Sequence, residues 1–288
     1  MPRPRKSAPK KARAVSASTP STEHGLSHGD VMSASQAVAP ELRRRSELLW
    51  EDRSRATRGP RAAFTPEDVV AAATELADVE GLTAVTMNAV SARLGLTTMA
   101  VYRYFPSKET LIDAIIDAGM GLPPTPEHPE REWRAEVTRW AHAKREMLIR
   151  RPWLAELPFV AAPHGPNWLL WLEALAAQFA RTGLRGRYVG EMISIVDGFT
   201  RGASDTSISL ARWKSRGKTE QEWAAAVGAD LGRSLGDPRF PAFAAIITSP
   251  GDADGGSLSQ SFDFCLQRVL DGIEAYLTSA RRPAASRG

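Results

Sequence analysis

"LGLTTMAVYRYFPSKETL", residues 94–111, decides how the whole chain is read. Gly95 interrupts one helix, and Thr97 is suited to cap the next, because its hydroxyl can accept a backbone N–H. Val101 and Phe105 stand four apart and share one helical face, while Tyr102 and Arg103 fall on the other. Pro106 and Ser107 stop that helix and open a further one, with Lys108 in its first turn. Two short helices joined through Leu94-Gly95-Leu96 predict a helix-turn-helix. From Thr97 to Tyr104 the second helix spans about 12 Å at ~1.5 Å per residue, close to the width of the DNA major groove.

Upstream, Thr65, Pro66 and Asp68 form an N-cap, a first-turn proline and a capping-box acid. Val69, Val70, Ala73, Leu76 and Ala77 then give a helical apolar face that ends near Gly81. Thr86 caps a second helix carrying Ala89, Val90 and Leu94. Downstream of Ser107, Leu111, Ile112 and Ile115 face inward until Gly119 and Gly121. Beyond "LPPTPEHPE" (122–130) the pattern stays helical: Trp133, Val137, Trp140, Lys144 and Leu148 recur at spacings of three and four. "NWLLWLEALAAQFA" (167–180), "RYVGEMISIVDGF" (187–199), "EQEWAAAVGADLGRSL" (220–235) and "FDFCLQRVLDGIEAYL" (262–277) continue it. No period-two alternation and no repeat occurs. The expected fold is all-α, with a small helix-turn-helix bundle over 61–121 and a larger helical bundle over 122–288.

Each residue type around Thr97 has a use against a duplex. Thr97 and Thr98 can bond a base edge or a phosphate, and Met99 or Ala100 can touch a thymine methyl. Tyr102 and Tyr104 hydroxyls can reach phosphates, and Arg103 a phosphate or a guanine edge. Lys108 stands where free backbone N–H groups attract an anion. Taken alone, the pattern is equally open to tyrosines packed in a core.

Composition narrows the alternatives. The 288 residues are 43% hydrophobic and 24% charged, the profile of a soluble globular protein. No apolar run approaches the ~20 residues that cross a bilayer, and the basic start lacks the apolar core of a secretory signal. Cys265 is the single cysteine, which excludes an internal disulfide framework and a multi-cysteine zinc site and places the chain in a reducing cytoplasm. Residues 1–61 carry 13 Lys and Arg against 6 Asp and Glu, whereas the remainder is net acidic. The basic extension (1–60) is therefore either a solvated tail or an arm for a polyanion. Residues 1–40 read as disordered, "ELRRRSELLWED" (41–52) as a short helix, "RSRATRGPR" (53–61) as a basic connector, and "SPGDADGG" (249–256) as a flexible loop. Gly-rich phosphate loops, paired acid–base motifs and nucleophile signatures are absent, so no cofactor is expected and a helical enzyme is disfavoured. A sequence-blind, nucleoid-type DNA protein driven by the basic tail stays open.

Residues 64–120 resemble the DNA-binding domain of the tetracycline-repressor (TetR) family of transcriptional regulators. The resemblance is carried by "DVVAAATELADVEGLTAVTMNAVSARLGLTTMAVYRYFPSKETLIDAII", in which "EGL", "LGL", "YRYF" and "SKE" follow in the family's order. "SELLWEDRSRATRGPR", "HPE…W", "RRPWLAELP" and the closing "FDFCLQRVLDGIEAYL" are similar to a subgroup with long N-terminal extensions. The resemblance implies DNA contacts at Thr86, Thr97, Thr98, Met99, Tyr102, Arg103, Tyr104 and Lys108. Tyr104 departs from a histidine common in the family, and Met99 from a smaller or more polar residue. Arg58 and Arg61 either enter the minor groove or belong to a solvated linker.

It further implies a homodimer on a palindromic double-stranded DNA operator, formed by two C-terminal helices, here 187–212 and 260–278. A small-molecule effector bound in the larger bundle would release the operator and so relieve repression. Trp140, Met147, Trp168, Trp171, Met192 and Phe199 are the candidate pocket residues, or else plain helix core. Asp197, Arg201 and Asp205, four apart, read as a surface or interface ion-pair row. His142 and His164 have no partners at metal-ligand spacing, so no metal is expected.

Overall fold

The computed structural model describes residues 40–50, 64–126, 132–156, 164–248 and 257–281. The expected disorder of 1–39, the loop 249–256, and the connector 53–61 with Arg58 and Arg61 fall outside these residues, whereas Pro40, at the end of the stretch expected to be disordered, opens a helix.

Among the described residues the secondary structure is helical throughout. Its α-helices are α1 (Pro40–Trp50), α2 (Pro66–Glu80), α3 (Met87–Leu94), α4 (Thr98–Tyr104), α5 (Lys108–Met120), α6 (Trp133–Arg150), α7 (Pro166–Ala180), α8 (Gly186–Ser215), α9 (Glu220–Leu231), α10 (Pro241–Thr248) and α11 (Leu258–Arg281).

Helix ends follow local chemistry. The Thr65 hydroxyl accepts from the Asp68 amide while the Asp68 carboxylate accepts from the Thr65 amide, a closed capping box with Pro66 behind it. Ser107 and Thr110 close a second box at the head of α5. Each replaces water with protein at N–H groups that a helix start otherwise leaves unpaired.

Val69, Ala73, Leu76, Val85, Val90, Val101, Phe105, Leu111 and Ile115 bury the inner faces of α2–α5, all at 5% exposure or less. The same apolar cluster runs without a break into α6, α7, α8 and α11. α6, α7 and α11 each pack on α8, and α6 also packs on α7. Arg134 pins the start of α6 to α11 by bonds to the side chains of Gln267, Asp271 and Glu274. α11 buries Phe262, Leu266, Leu270, Ile273 and Leu277 at spacings of three and four. Its opposite side, with Phe264 and Cys265, faces solvent.

α5 joins the two groups of helices. It packs on α2 at one side and on α7 at the other. Asp117 accepts from the amides of Asn167 and Trp168 at 3.3 and 3.0 Å, so it caps the start of α7 from outside that helix. Burial raises the Asp117 carboxyl above the usual aspartate range, and these two amides pull it back. Only glycine fits at 165, because a Cβ there would overlap the Asp117 carboxyl. The Trp171 indole N–H reaches the carbonyls of Met120 and Gly121, at 3.2 and 3.1 Å.

Candidate nucleic-acid interface

The interface grows from the turn between α3 and α4. Gly95 takes a left-handed conformation (φ 67°), its amide bonds Ala92, and the Leu96 amide reaches back to Ser91 at 2.8 Å. A side chain at 95 would clash with its own backbone in that conformation. Thr86 and Thr97 each cap a helix, accepting from Ala89 at 3.1 Å and Ala100 at 3.3 Å. Both remain on the surface.

α4 is held from behind by Val101 and Phe105, each fully buried. Its outward side presents Met99 at 71% exposure, Tyr102 at 42%, and Arg103. Lys108 is exposed at the head of α5. These side chains lie on one surface because residues three and four apart share a helical face.

Two residues, Thr98 and Tyr104, and the amides at the head of α5 depart from a simple row of contacts. The Thr98 hydroxyl donates to the Asn88 side-chain oxygen at 2.8 Å, which orients an exposed asparagine on α3 beside α4. Asn88 escaped the sequence reading; its one signal was a polar residue in the first turn after the Thr86 cap. The Tyr104 hydroxyl donates to the Phe64 carbonyl at 2.9 Å, so its proton is directed into the protein and not toward solvent. At the head of α5 the anion-attracting amides are partly engaged. Thr110 gives its amide to Ser107. The carboxylate of Glu109 bonds its own amide and then Ser107, which holds it below the usual glutamate range.

The six candidate pocket residues divide by burial. Trp140, Met147, Trp171 and Met192 are core side chains, and Trp168 and Phe199 are half-buried. Trp140 donates to the Trp171 carbonyl at 2.9 Å, and their rings meet edge to face at 5.6 Å. None of the six lines the surface clefts beside Thr74, Arg93 or Leu170.

A buried ion pair lies against the two tryptophans. Lys144 is 3% exposed, 5.6 Å from the Trp140 ring centre, 5.1 Å from that of Trp171, and 3.6 Å from the Asp197 carboxylate. Burial lowers the Lys144 ammonium from its ordinary range, against the attraction of Asp197 and with the repulsion of Arg201. This corrects the reading of Asp197, Arg201 and Asp205 as one surface or interface ion-pair row, since Asp197 is buried and paired with Lys144. Asp197 turns into the core toward α6, and only Asp205 stays fully at the surface. Helical spacing placed the three on one helix but carried no information about Lys144 on another. His142 pairs with Asp263 at 2.9 Å, and His164 stacks on Trp168. Among the described residues no group of three His, Cys, Asp or Glu side chains is placed to hold a metal, and no helix is long and apolar enough to cross a membrane.

Residues 69–115 match the model of the bacterial regulatory proteins of the tetR family, and residues 125–277 match the tetracyclin repressor-like C-terminal domain. A transcriptional repressor of Streptomyces coeruleorubidus, DrrR1, is 30% identical over 247 residues, covering 85% of this chain and 90% of that protein. The chain belongs to the TetR family. It is a DNA-binding transcriptional regulator and not an enzyme. A regulator of Saccharopolyspora erythraea is 26% identical over 74% of this TetR-family chain and 85% of its own. Among solved structures, Streptomyces coelicolor ActR in complex with actinorhodin has the same fold, with a TM-score of 0.61 and 20% identity. The likeness covers 75% of this chain and 99% of that one.

Proposed function

We propose that this TetR-family chain is a cytoplasmic repressor that binds a palindromic double-stranded DNA operator as a homodimer and is released by a small molecule. In this reading residues 61–121 form the DNA-reading domain and 122–288 the effector and dimerisation domain. The observation that carries it is the two-sidedness of α4, with Val101 and Phe105 turned in and Met99, Tyr102 and Arg103 turned out. Met99, Thr97 and the Asn88–Thr98 pair meet base edges, where the methionine suits a thymine methyl and the asparagine an adenine. Tyr102, Arg103 and Lys108 hold phosphates, Thr86 borders the same surface, and Tyr104 keeps α4 in place.

Dimerisation is supported by the unpartnered faces of α8 and α11, within which residues 187–212 and 260–278 fall. Ile195 and Phe264 stand 46% and 64% exposed there, beside Gly198, Gly202 and Gly272, which let two helices approach closely. α9, α10 and the connection between them bury no residue and leave Leu231, Phe240, Phe243 and Ile246 in solvent, apolar surface that a second copy would cover.

Release is supported by the route from core to α5. Trp140 bonds Trp171, Trp171 bonds the end of α5, and α5 begins with Lys108. An effector that favours another placement of α7 would move α5 and change the separation of the two recognition helices. Among the relatives, DrrR1 is a transcriptional repressor, and ActR is seen in complex with actinorhodin. Selection of bound duplexes from a random pool tests the reading. A two-fold-symmetric consensus with half-sites about one helical turn apart is expected; recovery of unrelated sequences would overturn it.

A further inference from the structure

α1 precedes the DNA-reading helices and belongs to none of the machinery above. It has eleven residues, none of them buried, and an isolated helix of that length is marginal in water. Its order therefore comes from what it touches. Arg45 makes a two-pronged bond to Asp113 of α5, 2.7 Å through Nε and 2.6 Å through Nη2. The Asp113 side chain is 1% exposed and that of Arg45 19%. A carboxylate so enclosed on α5 is costly without a cation, and α1 supplies it.

At the C-terminal end of α1, about one and a half turns beyond Arg45, the Trp50 indole N–H donates to the His164 carbonyl at 3.3 Å. The Trp50 ring walls an apolar cleft of about 390 Å³ with Pro166, Leu169, Leu170, Ala176 and Ile193. His164 directly precedes Gly165, at the joint where Asp117 of α5 caps α7. α1 thus touches both partners of the joint through which α5 follows α7.

We propose that α1 is a regulatory strap: docked on Asp113 and on the lead-in to α7, it stiffens the α5–α7 joint and favours the operator-binding arrangement. A shift of α5 against α7 cannot keep both the Arg45 and the Trp50 contact of α1, so movement costs the strap. Because α1 has little helical stability of its own, undocking also melts it, which makes the contact two-state. The inference rests on the operator-binding reading for its sign, but not for the coupling itself.

Two variants each release one of the strap's two contacts. Arg45→Ala removes the cation for Asp113; Trp50→Ala leaves that pair intact and loosens the α7 end. Amide hydrogen exchange on the full-length chain without DNA reads the coupling. Both variants should speed exchange in α1, and in the first turn of α7 and the last turn of α5, although neither residue lies on α5 or α7. With the selected duplex, both should weaken binding roughly 5- to 150-fold, the usual range of coupling between sites. Faster exchange confined to α1, or unchanged exchange everywhere, would overturn the strap. Unchanged duplex affinity with altered exchange at the joint would overturn its regulatory role. Absence of any symmetric consensus in the wild-type chain sinks the operator reading instead, and shows before a variant is made.

Discussion

The Tyr104 hydroxyl donates to the Phe64 carbonyl across 2.9 Å, closing the end of α4 onto the residue that precedes the α2 cap. Its neighbour Tyr102 points outward from the same short helix, 42% exposed. The two tyrosines of "YRY" therefore have separable roles. Tyr104→Phe should lower unfolding stability by about 1 kcal/mol, the net worth of one hydrogen bond, and leave operator affinity unchanged. Tyr102→Phe should do the reverse. Losing a bond to a charged phosphate is worth ~1.5 kcal/mol, roughly tenfold in Kd. Urea unfolding and duplex titration on both variants check the pair; equal effects would mean that Tyr104 also reaches DNA.

Lys108 and Glu109 sit side by side at the head of α5 with opposite charges, and the Glu109 carboxylate already bonds the amide that a phosphate would want. Glu109→Gln should strengthen operator binding by up to about fivefold, within the ~0.2–1 kcal/mol range of exposed charge interactions. Lys108→Ala should weaken it and reduce the slope of log K against log salt by about 1. Binding isotherms over a range of salt concentrations separate the two. If Glu109→Gln weakens binding, the carboxylate is needed to order the helix start.

How much of this was legible in the sequence depends on whether a feature is local. The caps at Thr65, Thr86, Thr97 and Ser107 and the break at Gly95 are set by residues within four positions, and each stands where the pattern placed it. The inward turn of Val101 and Phe105 followed from helical spacing alone. What escaped joins distant segments. Tyr104 finds Phe64 forty residues away, Arg45 finds Asp113 across sixty-eight, and Lys144 finds Asp197 on another helix. Lys144 was visible as a charge in an apolar stripe, but spacing within α6 cannot name the carboxylate that answers it.

Ile195 and Phe264 present apolar side chains on the exposed faces of α8 and α11. A charge introduced at either position cannot be buried against an identical copy without large desolvation cost. Ile195→Asp and Phe264→Asp should each yield a species of half the wild-type mass in analytical ultracentrifugation, with helical content retained. Operator affinity should fall by about 10²–10⁴-fold, because two tethered half-site contacts become two independent ones. A dimer that survives both substitutions would place the interface on another face.

Lys144 and Asp197 form a buried pair whose 3.6 Å separation is long for a charge-assisted bond, and Asp197 Oδ1 makes no hydrogen bond. Lys144→Met leaves that carboxylate enclosed without its cation and should cost about 3–5 kcal/mol. Adding Asp197→Leu removes the stranded charge and should restore stability to the wild-type level or above it. The pH dependence has a definite sign. Burial holds Lys144 below its ordinary value of 10.5, so the folded chain binds its proton less readily than the unfolded chain does. The stability that this provides is full above the ordinary lysine value and is lost as pH falls through the depressed folded value. The double variant lacks this term, so its advantage over wild type should widen as the pH is lowered from about 10.5 and then level off. Urea unfolding of both proteins across that range measures the gap. A gap that stays constant with pH would mean that Lys144 is charged in the folded chain as readily as in water, and that Asp197 fully offsets its burial.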